Sequence, residues 1–136
     1  MTAAKRAAIA GIGQTEFSKN SGRSELTLAS ECIRAALDDA GLSPADVDGM
    51  TTFTLDNNGD VDLVRSLGVR NLRFSSRVPH GGGGSAGTLA HAMAAVTSGL
   101  ADVVVAWRAM NERSEARFGI AHMEPNANIR GSGTGF

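Results

Sequence analysis

The stretch Pro79-His80-Gly81-Gly82-Gly83-Gly84-Ser85-Ala86-Gly87-Thr88-Leu89-Ala90-His91-Ala92-Met93-Ala94-Ala95-Val96-Thr97-Ser98-Gly99, followed by Leu100-Ala101-Asp102-Val103-Val104-Val105-Ala106-Trp107, decides the fold. A proline and a run of four glycines punctuate the chain, so 79–84 reads as a loop. Ser85 opens a helix, its hydroxyl oxygen available to a first-turn N–H. Leu89, Ala92, Met93 and Val96 follow at i, i+3, i+4 and i+7, and the other faces are Ala, Gly and Thr. A helix that is apolar nearly all round is expected to be buried. Gly99 ends it. Ala101 to Trp107 is then a continuous apolar run, the pattern of a strand in the middle of a sheet covered on both faces.

Working outward, the same alternation recurs. Lys5 to Ile12 is short and apolar, ends in Gly11-Ile12-Gly13, and reads as a buried strand and a tight turn. Arg23 or Ser24 starts a helix with Leu26, Ala29, Ile33, Ala36, Leu37 and Ala40 on one stripe, and Gly41 stops it. Ser43-Pro44-Ala45-Asp46 carries a cap, a proline at the first helical position and an acid at the third, which predicts one helical turn. Val47 to Leu55 is β-rich, and 56–59 is a turn cluster. Val61, Val64 and Leu67 make a brief helix of 60–67 that Gly68 stops. From 71 to 78, Leu72, Phe74, Ser76 and Val78 alternate with Asn71, Arg73, Ser75 and Arg77, as in a half-exposed strand at a sheet edge. Edges invite pairing, so a second copy of the chain is expected there. The sum is β-α-β-α-β-α-β, an α/β layered sheet, mixed but mostly parallel, around a buried central helix.

Bulk properties set limits. The chain has 136 residues and a formal charge of -1, which excludes the basic footprint of nucleic-acid binding. No apolar run approaches the roughly 20 residues of a membrane span, and the N-terminal apolar stretch is too short for a secretory signal. A cytoplasmic protein without membrane association is the expectation. One cysteine, Cys32, leaves no intramolecular disulfide and no cysteine-based zinc site. From Ser114 onward the chain has no clean period. The expected organisation is one unit over 1–113 and an irregular segment over 114–136, the start of a loop region in a truncated chain.

Several stretches carry a family resemblance. Ala8-Ile9-Ala10-Gly11-Ile12-Gly13-Gln14-Thr15-Glu16-Phe17 resembles the first strand and turn of thiolases of the sterol-carrier-protein or lipid-transfer type. Ala40-Gly41-Leu42-Ser43-Pro44-Ala45-Asp46-Val47-Asp48-Gly49 resembles the family's first helix exit and second strand. Gly84-Ser85-Ala86-Gly87 and Ser98-Gly99-Leu100-Ala101-Asp102 resemble the segment that carries the active cysteine. The match runs from about residue 7 to about residue 112. It looks most like the lipid-transfer branch that acts in steroid side-chain degradation, and it implies the N-terminal half of a thiolase-like fold built from two similar halves.

The resemblance also shows a departure. In the family a nucleophilic cysteine stands at the start of the buried helix. Counting back from Gly99 and Ala101 places it at Gly82; anchoring on Gly87 places it at Gly84. Both are glycine, and acyl transfer through a thioester intermediate needs a thiolate. Cys32, inside a helix beside the apolar stripe, reads as packing.

The candidate site residues follow. Gly81, Gly82, Gly83 and Gly84 leading to Ser85 could hold a thioester carbonyl or its enolate on backbone N–H groups, or could simply be a loop needing positive φ. Ser85 could be a nucleophile, but the capping role explains it. His80 could be an acid or base, or a loop histidine bonded to backbone. His91 reads as a satisfied core histidine. Gly11-x-Gly13 lacks the third glycine of a dinucleotide fingerprint, since Glu16 stands there. Arg73, Arg77 and Arg108 are candidate anion or dimer contacts, with a solvated edge equally good for Arg73. Asn111 and Glu112 follow the last strand, and ligands of α/β sheets gather at strand carboxyl ends.

Three functions compete. The first, implied by the resemblance, is retro-aldol C–C cleavage of a steroid or fatty 3-hydroxyacyl-CoA without a cysteine nucleophile, with the catalytic base supplied from outside this chain, which has no tyrosine. On that reading these residues alone are inactive, coenzyme A enters only as part of the substrate, and no cofactor or metal is needed. An OB-fold, zinc-ribbon protein is the partner the family implies. The second is an acetyl-CoA acetyltransferase-type thiolase, which the missing cysteine opposes. The third is a non-catalytic lipid-CoA-binding or scaffold subunit.

Overall fold

The computed structural model describes residues 6–53, 58–79 and 84–111. The first helix, α1 (Glu25–Ala40), begins where Ser24, in extended backbone, accepts a hydrogen bond from the N–H of Thr27. It ends where Gly41 takes a φ of 66°, a left-handed conformation that costs glycine nothing. Its buried face is Glu25, Leu28, Ala29, Ser30, Ile33 and Leu37. The expected stripe shared Ala29, Ile33 and Leu37 with that face but was rotated away from Leu28 and Glu25. The single turn Pro44–Asp46 forms as expected, with the Asp46 carboxylate accepting from both the N–H and the hydroxyl of Ser43.

Three strands follow, β1 (Gly49–Phe53), β2 (Phe74–Val78) and β3 (Val104–Ala106), in the order β2-β1-β3, and both neighbouring pairs are parallel. The helix α2 (Asp60–Leu67) leads into β2, and α3 (Gly84–Ser98) leads into β3. All five residues of β1 are buried. Successive side chains leave a strand on opposite faces. Thr51 and Phe53 meet α3: the Thr51 hydroxyl donates to the Thr88 carbonyl at 3.2 Å, and Phe53 abuts Gly84. Met50 belongs to the core shared with α1 and α2, with Leu28, Ile33, Leu37, Leu63, Leu67 and Trp107. Full burial of such side chains stabilises by about 1.5–3 kcal/mol each. Helices therefore cover both faces of a parallel sheet, the layered α/β arrangement expected.

Four expectations change. Residues 6–12 form no strand, and Ile9 and Ile12 are about three-quarters exposed, at 76% and 75%. Gly11 and Gly13 instead press on α1 so closely that a Cβ on either would overlap its backbone. The strand at 101–107 shrinks to Val104–Ala106 and lies at an edge of the sheet, Val104 and Val105 half-buried and Ala106 exposed, because among the described residues no strand pairs with its outer side. The central position belongs to β1. In α2 the buried pair is Leu63 and Leu67, while Val61 is exposed.

The fourth change concerns α3. It begins at Gly84, one residue before the expected opening at Ser85, and Ser85 is exposed within the first turn. Only Gly84, Thr88 and Ala95 are buried, while Leu89 and Met93 are 47% and 57% exposed. The small residues face the sheet because a close helix–sheet approach has no room for more: a Cβ on Gly87 would already lie 2.7 Å from Val78 Cγ1. His91 is exposed and shares a 2.7 Å hydrogen bond with the Ser76 hydroxyl through Nδ1, so it is no core histidine. The edge position expected for 71–78 holds, with Phe74 and Ser76 half-buried and Ser75 exposed.

Candidate active site at the carboxyl end of the sheet

Three parallel strands put three carboxyl ends on one side of the molecule, the side where α/β sheets bind ligands. Phe53 closes β1, Val78 and Pro79 close β2, and Trp107 to Asn111 continue from β3. The start of α3 lies against this rim. A Cβ on Gly84 would fall inside the Phe53 ring edge, at Cε2 and Cδ2, so no side chain fits at 84 while Phe53 is in place. Phe53 is buried, 5% exposed. The Arg108 guanidinium stands over the same ring, 5.2 Å from its centroid, a cation–π distance.

Beside Arg108 opens a cleft of about 340 Å³ lined by Gly13 to Ser18, Ser21, Leu28, Cys32 and Arg108 to Asn111. Ligand sites begin at about this size. Asn111 is 8% exposed and fixed on three sides: its N–H donates to Glu25 Oε1 at 3.0 Å, its amide nitrogen donates to the Arg23 carbonyl at 2.6 Å, and its amide oxygen accepts from Ser21 at 3.4 Å. Glu16, on the cleft wall, forms an ion pair with Arg23, which also holds Glu31 at 2.6 Å. The Cys32 thiol donates to the Ala29 carbonyl at 3.2 Å, a bond a thiolate could not make. Among the described residues no group of three His, Cys, Asp or Glu is placed to hold a metal ion.

The structure thus brings Gly84 and Arg108 together against Phe53, and Asn111 lines the cleft with Arg108. His80, Gly81, Gly82, Gly83 and Glu112 lie outside the described residues. Arg73 and Arg77 are elsewhere and occupied. Arg73 pairs with Asp48 at 3.0 Å and Asp102 at 3.2 Å, and Arg77 pairs with Asp60 at 2.9 Å. Sequence reading missed Phe53 as a wall of the site and missed the cleft between 13–18 and α1. Both depend on contacts between residues far apart in the chain, and no local pattern marks them.

The architecture is thiolase-like. The chain superposes on a monomeric SCP2-thiolase like protein from Mycobacterium smegmatis with a TM-score of 0.59 at 25% identity, over 72% of this chain and 22% of that one. It superposes more fully on a structure described as an Ltp2-ChsH2(DUF35) aldolase, with a TM-score of 0.80 at 50% identity, over 91% of this chain and 34% of that one. Among curated proteins it is 59% identical over 114 residues to 17-hydroxy-3-oxo-4-pregnene-20-carboxyl-CoA lyase of Mycobacterium tuberculosis. It is 57% identical over 114 residues to a steroid side-chain-cleaving aldolase of Thermomonospora curvata. The matches cover 84% of this chain but only 30% and 29% of those proteins. No family model matches the sequence. No described helix is long and apolar enough to cross a membrane.

Proposed function

We propose that this chain is the N-terminal part of a thiolase-fold protein of the lipid-transfer branch that cleaves a C–C bond in a steroid acyl-CoA by retro-aldol chemistry, without a covalent acyl-enzyme. One observation carries the reading: the resemblance places the family's cysteine at Gly82 or Gly84, both are glycine, and at 84 an added Cβ would overlap the Phe53 ring edge. The identity to a CoA-thioester lyase supports the direction of the change.

In a substrate such as the one the mycobacterial relative is named for, the 17-hydroxyl stands on the carbon β to the thioester carbonyl. A base removes the hydroxyl proton, the C17–C20 bond breaks, and the electron pair moves onto the thioester as an enolate. Protonation of the enolate carbon gives propionyl-CoA, and the steroid leaves as the 17-ketone. The energetic demand falls on the enolate oxygen, where donors set in place before reaction contribute most. Gly84 and Ser85, with Gly81, Gly82 and Gly83 before them, form the approach for the thioester. Asn111, followed by Glu112, lines the acyl side. The base comes from another part of the protein, with His80 a candidate that the sequence offers.

The reading extends to assembly. The 71–78 edge joins two copies in the cytoplasm, and a DUF35-type OB-fold, zinc-ribbon protein completes the enzyme, a pairing that the similarity to the two-component Ltp2-ChsH2(DUF35) aldolase supports. The experiment is a product assay. The full-length protein with its DUF35-type partner is expected to convert a 17-hydroxy steroid 20-carboxyl-CoA to the 17-ketone and propionyl-CoA, and the 136 residues alone are expected to convert none. Acetyl-CoA formed from acetoacetyl-CoA and CoA would instead establish an ordinary thiolase.

A further inference from the structure

We propose that Arg108 is a catalytic residue of this site: its guanidinium donates to the thioester oxygen of the bound acyl-CoA and stabilises the enolate that C–C cleavage leaves there. The inference rests on the reading of the chain as part of a thioester aldolase and adds a residue to it. Three arginines compete for an anionic ligand, and the structure separates them. Arg73 and Arg77 are neutralised by Asp48, Asp102 and Asp60. Arg108 has no carboxylate partner among the described residues; it touches the Phe53 ring and the Met110 sulfur, the latter at 2.9 Å.

Its surroundings fit the role. Neither an aromatic face nor a thioether cancels a positive charge, so both hold the guanidinium in place and leave its N–H groups for a ligand. Glu16, the acid on the cleft wall, is already paired with Arg23. Among the described residues that line it, the cleft therefore presents one cation without a carboxylate partner, Arg108, beside the apolar Leu28, Cys32, Ala109 and Met110. Phe53 links this cation to Gly84, touching one by its edge and the other by its face. That places Arg108 beside the start of α3, where the thioester is expected. An arginine keeps its proton at any working pH, so it stabilises the enolate as a fixed charge and leaves proton transfer to other groups.

The test uses the full-length protein with its partner and two substrates: the steroid CoA thioester and the same acyl group on pantetheine, which lacks the nucleotide phosphates. Arg108→Gln is expected to lower kcat by about 100-fold on both, with KM changed by less than about threefold. Arg108→Lys keeps the charge and recovers part of the loss. Millimolar guanidinium added to Arg108→Ala is expected to restore turnover, which no repair of a purely structural defect would do. A KM increase confined to the CoA thioester would assign Arg108 to the phosphates and overturn the proposal, as would an unchanged kcat or a loss that guanidinium does not rescue. Absence of cleavage by the wild-type protein would instead sink the aldolase reading itself.

Discussion

The two ends of the sheet are built on opposite principles. At the amino end Asp48, Arg73 and Asp102 pair with one another. The Asp48 carboxylate accepts from the N–H groups of Asp102 at 2.9 Å and Val103 at 2.8 Å, and from Arg73 at 3.0 Å. Arg73 reaches on to Asp102 and to the Gly99 carbonyl at 3.1 Å. That network ties β1, the approach to β2 and the turn before β3 together. At the carboxyl end the pairing is incomplete. Arg108 has only a ring and a sulfur, and the buried Trp107 indole N–H has no partner among the described residues. The fold is stitched where charges cancel, and the cation left over stands at the other end.

Substitutions can break this contrast from either side. The largest effect is expected at Gly84. Gly84→Cys restores the family's residue type but forces a side chain into Phe53, so it is expected to destabilise by about 3 kcal/mol in urea unfolding and to create no thiolase activity. Stability equal to wild type would mean that Phe53 yields and that the glycine is not sterically required. Next is Asp48→Ala, which takes the acceptor from two N–H groups and leaves Arg73 with Asp102 as its one carboxylate among the described residues. A loss of about 2 kcal/mol is expected, with kcat of the folded enzyme unchanged, the reverse of the pattern expected for Arg108→Gln. A fall in kcat without a loss of stability would erase the distinction between the two ends.

The smallest effect is at the Ser43–Asp46 turn. Hydrogen bonds from the Ser43 hydroxyl and then its N–H hold the Asp46 carboxyl below the ordinary aspartate range. A depressed acid contributes stability above its unfolded pKa and loses it as pH falls through the folded one. Asp46→Asn is therefore expected to be less stable than wild type at pH 7, with the gap closing at pH values below the aspartate range. A gap independent of pH would remove the carboxylate from the account.

What the sequence disclosed follows the range of the interactions. The ends of α1 were legible because Ser24 and Gly41 act on their own neighbours. So was the Ser43 turn, and so was the alternation that puts Ser75 outward and Val78 inward. The burial of α3 was not. An Ala-, Gly- and Thr-rich helix has no face that its sequence marks as inner, and the sheet selected the smallest residues, turning Leu89 and Met93 outward. The strand at 5–12 was misread for a similar reason. Its glycines serve an approach to α1 that lies 19 to 29 residues on, at Cys32, Ala36 and Ala40. At the candidate site, the glycine run and Asn111 could be named from sequence. The joining of Gly84, Phe53 and Arg108 required the fold, because three separate strand and helix ends supply them.

The central claim is that this site acts on a thioester without becoming acylated. Intact-mass analysis of the full-length protein, quenched while it turns over a 17-hydroxy steroid 20-carboxyl-CoA in the presence of its DUF35-type partner, tests it most directly. The account predicts ketone and propionyl-CoA accumulating with no mass added to the protein. A protein heavier by an acyl group during turnover, on Cys32, Ser85 or any other residue, would contradict it.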